Sequence, residues 1–203
     1  MTPRLLIVRL GSMGDILHTL PAVASLRAAF PEALIDWVVE ERWKDLIELN
    51  ADISNAITVS TQAWRAALDQ RGTWREVRTA VSGLRDAHYD AAIDFQGLLK
   101  SALLARLSGA SRRIGFDPDT LKESAAAMFY TDHVRPPADV HVVEMNLTLA
   151  RAAGAVDSVL RFPLPTRPED EAYIDEQLRA HHLNEFFILS PGEIGRASCR
   201  ERV

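Results

Sequence analysis

Three features of the sequence predict an α/β fold, a Rossmann-like parallel sheet flanked by helices. The first apolar run, Arg4–Leu10, is nearly continuous, as in strands buried on both faces. Strand-like and helix-like patterns then alternate along almost the whole chain. Glycine-bearing turns also stand where two of the strands would pass into helices.

Taken in order, Arg4–Leu10 is strand one, and Gly11–Asp15 a turn into a helix that reaches about Ala29. Pro21 falls inside that helical pattern, so the helix either kinks there or restarts with Pro21 in its first turn. Pro31 closes it, Leu34–Val39 is strand two, Trp43–Leu49 a short helix and Ala56–Val59 strand three. Residues 60–72 are polar and irregular. Thr73–Ala87 is amphipathic, with Thr73 and Glu76 at capping-box spacing. Ala91–Phe95 is strand four, Leu98–Leu107 a helix and Arg113–Phe116 a short strand. Helical patterns return at Leu121–Tyr130 and His141–Ala153, with a loop at Pro136-Pro137 between them. Arg161–Leu164 is extended, and Pro163–Pro168 reads as a linker. Thr166 opens a helix to about His181, and Phe186–Leu189 is a further strand.

The last eleven residues, EIGRASCRERV, follow a strand and turn but have no amphipathic period. They read as the in-frame translation of a common short-read sequencing adapter, so residues 193–203 are expected to be a non-native tail. The natural protein is then expected to continue beyond residue 192. The single cysteine, Cys199, lies in this tail and is assigned no role.

The 203 residues are 47% apolar and 25% charged, an ordinary globular composition that excludes disorder, collagen and coiled coil. A net charge of −5 gives no reason to expect nucleic acid as a partner. No apolar run nears the ~18 residues of a membrane span. Arg4, the first apolar run and Ala22-Val23-Ala24 imitate a secretory signal, but Arg9 and Asp15 interrupt it. With one cysteine and no such signal, the cytoplasm is the expected compartment.

Two turns carry the candidate chemistry. Gly11-Ser12-Met13-Gly14-Asp15 follows strand one, at the strand end where open α/β sheets bind ligands. It lacks the dinucleotide fingerprint and the P-loop lysine. Asp15 is its one acid, either a helix cap or a catalytic carboxylate. Asp94, Gln96, Gly97 and Lys100 repeat the arrangement after strand four. Asp94 is a poor phosphoacceptor candidate, since no acidic pair follows strand one. Gly97–Phe116 holds Lys100, Arg106, Arg112 and Arg113 and no acid, either an anion-binding face or solvated surface. His141 and Glu144 share a helix face but make too few ligands for a metal. Asn146-Leu147-Thr148 is formally a glycosylation sequon, placed on a helix and set aside.

Residues 12–22, SMGDILHTLPA, closely resemble the N-terminal motif of the lipopolysaccharide heptosyltransferases, their type I branch in particular. DWVVEE at 36–41, DAAIDFQGLLKS at 90–101, Phe129-Tyr130 and HVVE at 141–144 extend the resemblance, in order, over about residues 4–192. The resemblance implies a GT-B glycosyltransferase, with two Rossmann-like domains facing across a cleft. Residues 1–165 would be the acceptor-binding half and 166–192 the start of a nucleotide-sugar-binding domain. The implied reaction is inverting transfer of L-glycero-D-manno-heptose from ADP-heptose to Kdo-modified lipid A, without metal or other cofactor. The 203-residue chain alone is expected to be inactive. The implied location is cytoplasmic, with peripheral contact on the inner membrane.

By the same resemblance Asp15 is the general base, and Ser12, Met13 and Gly14 shape the cleft beside it. Arg65, Gln96, Lys100, Lys122 and His141 stand at acceptor positions. Gln62 and Ala66 occupy places where the family often has bases, and Lys122 replaces an arginine fork with a point charge. A heptosyltransferase acting on a later core heptose and a stand-alone, non-catalytic α/β binding domain are the alternatives. A nicotinamide-binding Rossmann domain lacks its glycine fingerprint.

Overall fold

The computed structural model describes residues 2–67, 69–164 and 166–183. The chain divides into two compact units, residues 1–165 and 166–203. In the first, six parallel strands form one sheet: β1 (Arg4–Val8), β2 (Leu34–Glu40), β3 (Asn55–Val59), β4 (Ala91–Asp94), β5 (Arg112–Phe116) and β6 (Asp132–Val134). Their order is β3-β2-β1-β4-β5-β6. The chain works outward from β1 in one direction and then from β4 in the other. The strand order therefore reverses between β1 and β4, and a crevice opens at their carboxyl ends.

Alternate strand residues face opposite layers. Leu5, Ile7, Ile35, Trp37, Ile93 and Ile114 pack with Leu20, Val23 and Leu26 of helix α1 (Met13–Ala29) and Leu149 of α5 (Val142–Ala153). On the other face Leu6, Val8, Val38 and Ala92 meet Leu84 of α3 (Arg71–Asp86) and Leu104 and Ala105 of α4 (Leu99–Leu107). Trp37 is fully buried and its indole N–H donates to Arg9 O at 3.0 Å.

Several elements differ from the sequence reading. Helix α1 runs through Pro21 without restarting. The stretch read as irregular holds a short helix, α2 (Thr61–Ala66). Trp64 packs it onto the second core, and the Thr61 hydroxyl donates to the Glu40 carboxylate. Thr73 is not the cap of α3, because that helix starts a turn earlier, after Gln70, and Thr73 is buried within it. Trp43 lies in a 3-10 turn, Glu41–Leu46, not an α-helix. The helix expected over Leu121–Tyr130 is only a 3-10 turn, Ser124–Phe129. Asp117 fixes the chain before it by accepting from the Thr120 amide, and Tyr130 leaves in extended conformation. Strand β6, three residues long, has no counterpart in the sequence reading.

The basic segment is not one face. Lys100 is in the first turn of α4, at the strands' carboxyl edge, whereas Arg112 and Arg113 begin β5 at the opposite edge. There Arg112 pairs with Asp132 at 3.1 Å, and Arg113 donates to the carbonyls of Phe129 and Ala110.

The irregular stretch before residue 165 is tied to the first unit. Arg161 Nη2 lies 2.8 and 2.9 Å from the two Asp52 carboxylate oxygens, and Asn50 donates to Pro163 O. The second unit shows helix α6 (Pro168–Ala180), with Pro168 in its first turn and Glu169, Asp170 and Glu171 where they complement the helix dipole. The strand read at Phe186–Leu189 and the tail at 193–203 lie outside the described residues. Among those described, no helix is long and apolar enough to cross a membrane.

Candidate active site

Val8 and Asp94 are register partners at the carboxyl ends of β1 and β4, so the two candidate turns leave the sheet side by side. Asp94 is completely buried and organises its turn. One carboxylate oxygen accepts from the amides of Gln96 (2.9 Å) and Gly97 (3.2 Å), and the other from the Tyr130 hydroxyl (2.7 Å). Burial raises the Asp94 carboxyl above its ordinary range, against the pull of these donors. Such a side chain is a structural bracket, and no phosphoryl donor could reach it.

Gly97 takes φ +69°, and a side chain there would strike Leu121. The bracketed turn aims Gln96 back at β1, where its Oε1 accepts from Leu10 N at 2.7 Å. The two turns are thereby joined.

Asp15 sits in the first turn of α1. Its Oδ2 accepts from the amide (3.0 Å) and hydroxyl (3.1 Å) of Ser12, and its Oδ1 lies 2.7 Å from Arg9 Nη2. Partial burial pushes the carboxyl up. The Arg9 guanidinium and the two Ser12 donors outweigh that and hold it below the ordinary carboxylate value. Asp15 is therefore a helix-terminal acceptor for Ser12, and it is also an ion-paired carboxylate that borders a cleft.

Arg9 is the residue the sequence reading missed. It is 7% exposed, its Nη1 donates to Phe95 O, and its Nε is buried with no partner among the described residues. Burial lowers its pKa, with Asp15 opposing. The available signal was an arginine closing an otherwise apolar central strand, a position that demands an acidic partner.

Two hollows meet at Asp15 and Gln96. The first, about 280 Å³, is bounded further by Arg9, Lys122, Thr120, Met145 and Asn146. The second, about 190 Å³, is bounded further by Ser12, Glu40, Arg42, Gln62 and Lys100. Four of the nine expected site residues, Asp15, Gln96, Lys100 and Ser12, thus surround the second hollow, and Lys122 joins Asp15 and Gln96 at the first.

Four expected residues are not in either lining. Met13 is 40% exposed, and Gly14 half-buried in the same turn. His141 caps α5, accepting from Val143 N at 3.3 Å and meeting His18 edge-on, while Val142, Met145 and Asn146 of its helix do reach the hollow. Arg65 is exposed in the last turn of α2, and Gln62, one turn earlier, faces the cleft in its place. Asn146 of the sequon is buried and donates to His18 O at 2.9 Å. Among the described residues no group of three or more side chains could hold a metal ion, and Glu144 lies 3.6 Å from Arg151.

A Rossmann-like sheet that gathers an ion-paired carboxylate and several basic side chains at its switch point has its ligand-binding crevice there. Residues 77–192 match the profile of glycosyltransferase family 9 (heptosyltransferase). Lipopolysaccharide heptosyltransferase 1 of Pseudomonas aeruginosa is 35% identical over 86% of this chain and 48% of its own length. The enzyme of that name from Escherichia coli K12 is 37% identical over 72% of this chain and 46% of its own. The solved structure of E. coli heptosyltransferase WaaC superposes with a TM-score of 0.72 at 34% identity, over 79% of this chain and 51% of that one. The chain belongs to glycosyltransferase family 9, the heptosyltransferases. It spans about half the length of the curated relatives it matches.

Proposed function

We propose that this chain is the acceptor-binding half of an inverting glycosyltransferase. The enzyme moves L-glycero-D-manno-heptose from ADP-heptose to Kdo-modified lipid A, in assembly of the lipopolysaccharide inner core. The observation that carries the reading is the Asp15 carboxylate, kept ionised by Arg9 where two base-lined hollows meet. The relatives named lipopolysaccharide heptosyltransferase 1 support the acceptor class. The WaaC structures, solved with ADP and with ADP-2-deoxy-2-fluoro heptose, support the donor.

Asp15 takes the proton of an acceptor hydroxyl as that oxygen bonds to the anomeric carbon. The bond from that carbon to the terminal phosphate oxygen of ADP breaks in the same step, and ADP leaves with the electron pair. Attack opposite the leaving group inverts the anomeric centre. Arg9 and Lys122 in one hollow, and Arg42 and Lys100 in the other, suit the carboxylates and phosphates of such an acceptor. Ser12 holds the base, and Gln96 joins the two turns that form the floor. Met13, Gly14, Arg65 and His141 lie outside both linings and are assigned to the acceptor's outer parts.

Residues 1–165 form the acceptor domain, 166–192 open the donor domain, and 193–203 are a non-native tail. The two compact units support the first boundary, and the family match, which ends at residue 192, supports the second. The enzyme is cytoplasmic and touches the inner membrane peripherally. The test is heptose transfer by the protein carrying both domains. Asp15→Ala should lower kcat by ~10²–10⁴-fold and leave ADP-heptose binding intact. Near-normal turnover would remove Asp15 as the base, and no transfer by the parent protein would remove the activity.

A further inference from the structure

Away from the cleft, one surface carries a cluster of arginines with no ion pair among the described residues. Arg71, Trp74, Arg75 and Arg78 recur at intervals of three and four along α3 and so share a face. All four are exposed, Trp74 at 53%. None of the three arginines has an ion pair among the described residues. The acid within this stretch, Glu76, turns away toward α2, where it accepts from the Trp64 indole at 3.3 Å. The neighbouring helix α4 adds Leu99 and Leu103, one turn apart and 42% and 44% exposed.

Both helices pack on the same face of the sheet. Each follows one parallel strand and precedes the next, so both run from the carboxyl edge to the amino edge. Their N-terminal halves, with Arg71, Trp74, Arg75 and Leu99, therefore lie at the edge where the cleft opens.

We infer that this α3–α4 face docks the protein on a bilayer of anionic phospholipid. Guanidinium groups bind lipid phosphates, an indole is favoured at headgroup depth, and leucines one turn apart gain by entering the acyl boundary. The leucines have no use in recognising a nucleic-acid backbone, and arginines without an ion pair among the described residues have none in an apolar protein interface. The inference deepens the proposed function and rests on its lipid-linked acceptor. A bilayer held here lies on the side of the molecule from which such an acceptor must enter the cleft.

The test is sedimentation of the 203-residue protein with phosphatidylcholine vesicles, with and without phosphatidylglycerol. Binding should require phosphatidylglycerol and weaken as salt rises. Arg71→Gln, Arg75→Gln and Arg78→Gln together should weaken it on the order of a hundredfold, at roughly fivefold for each base near the surface. The corresponding lysine triple variant should keep most of it. Brominated lipid should quench tryptophan fluorescence, and Trp74→Phe should remove most of that quenching. No binding to anionic vesicles, equal binding by the glutamine variant, or binding without Trp74-dependent quenching would each overturn the inference. The readout needs neither donor nor acceptor, so it stands or falls separately from heptose transfer.

Discussion

Arg9 and Asp15 form a pair across the first β–α turn, with Nη2 2.7 Å from Oδ1, the arginine side chain 9% exposed and the aspartate side chain 42%. The arginine is held from behind by Phe95 O on the adjacent turn. The carboxylate therefore meets its partner already in position, and its outer side remains open to the cleft.

Removing that cation should show first in the titration of Asp15. In Arg9→Met the burial that raises the carboxyl persists, while the largest opposing influence is gone. The Asp15 pKa should rise, and in the two-domain enzyme the acid limb of the kcat/KM profile should move to higher pH with it. Carboxylate-resolved NMR of the variant and the pH–rate profile check this. An unmoved limb would separate Asp15 from catalysis. The unfolding free energy from urea titration should fall by about 1–3 kcal/mol, from the lost charged hydrogen bonds.

Acid should destabilise the fold through its depressed carboxyls. Asp117 is lowered mainly by the Thr120 hydroxyl, Asp132 mainly by the Thr131 hydroxyl, and Asp15 as described. Each binds protons more weakly folded than unfolded. Its contribution is complete above the unfolded value near ~3.9 and is lost as pH falls through the lower folded value. Asp94 has the opposite sign: it is raised, so its share of stability falls as pH climbs from ~3.9 through its folded value. Thr120→Val should flatten the acid slope below about pH 4, read from urea midpoints across pH.

Gly115 faces the ring of Tyr130, and a Cβ there would overlap it. Gly115→Ala must displace Tyr130, whose hydroxyl donates to buried Asp94. The expected cost is ~2–4 kcal/mol, the overpacking added to the broken bond. Tyr130→Phe, which loses only the hydrogen bond, should cost less, about 1–3 kcal/mol. Denaturant melts rank the two, and the opposite order would show that Tyr130 moves without strain.

Acceptor affinity should follow the linings of the two hollows. In the two-domain enzyme, Lys122→Gln and Lys100→Gln should each raise the acceptor KM about tenfold, the worth of one charged hydrogen bond. Arg65→Gln, outside both linings, should change it less. An unchanged KM in both lysine variants would place acceptor anions elsewhere.

The central strands were legible because burial on both faces leaves a nearly continuous apolar run, as in Leu5–Val8 and Ala91–Ile93. The edge strand Asp132-His133-Val134 was not, since three residues with two polar side chains show no period and only pairing with β5 makes them a strand. Helix α2 escaped for a similar reason, being fixed by Trp64 and the Thr61–Glu40 bond and not by its own pattern. At the site, Asp15, Gln96 and Lys100 could be placed because strand-to-helix turns mark the carboxyl edge. Arg9 could not, because its partner lies around the turn, and a lone arginine in an apolar run first reads as an interruption. Lys100 and Arg112 seemed one basic patch until the length of α4 set them at opposite edges of the sheet.

The bond from Leu10 N to Gln96 Oε1 bears on how such a domain can diversify. Gln96 joins the two turns and Arg9 holds the carboxylate from the adjoining strand end, so the carboxylate's position does not depend on Lys100, Gln62 or Lys122. Lys100, Gln62 and Lys122 stand on helices or loops around that floor and can be exchanged one at a time. On the role proposed for Asp15, descendants of one ancestral sequence can change which sugar they accept while inheriting the proton-transfer apparatus unaltered.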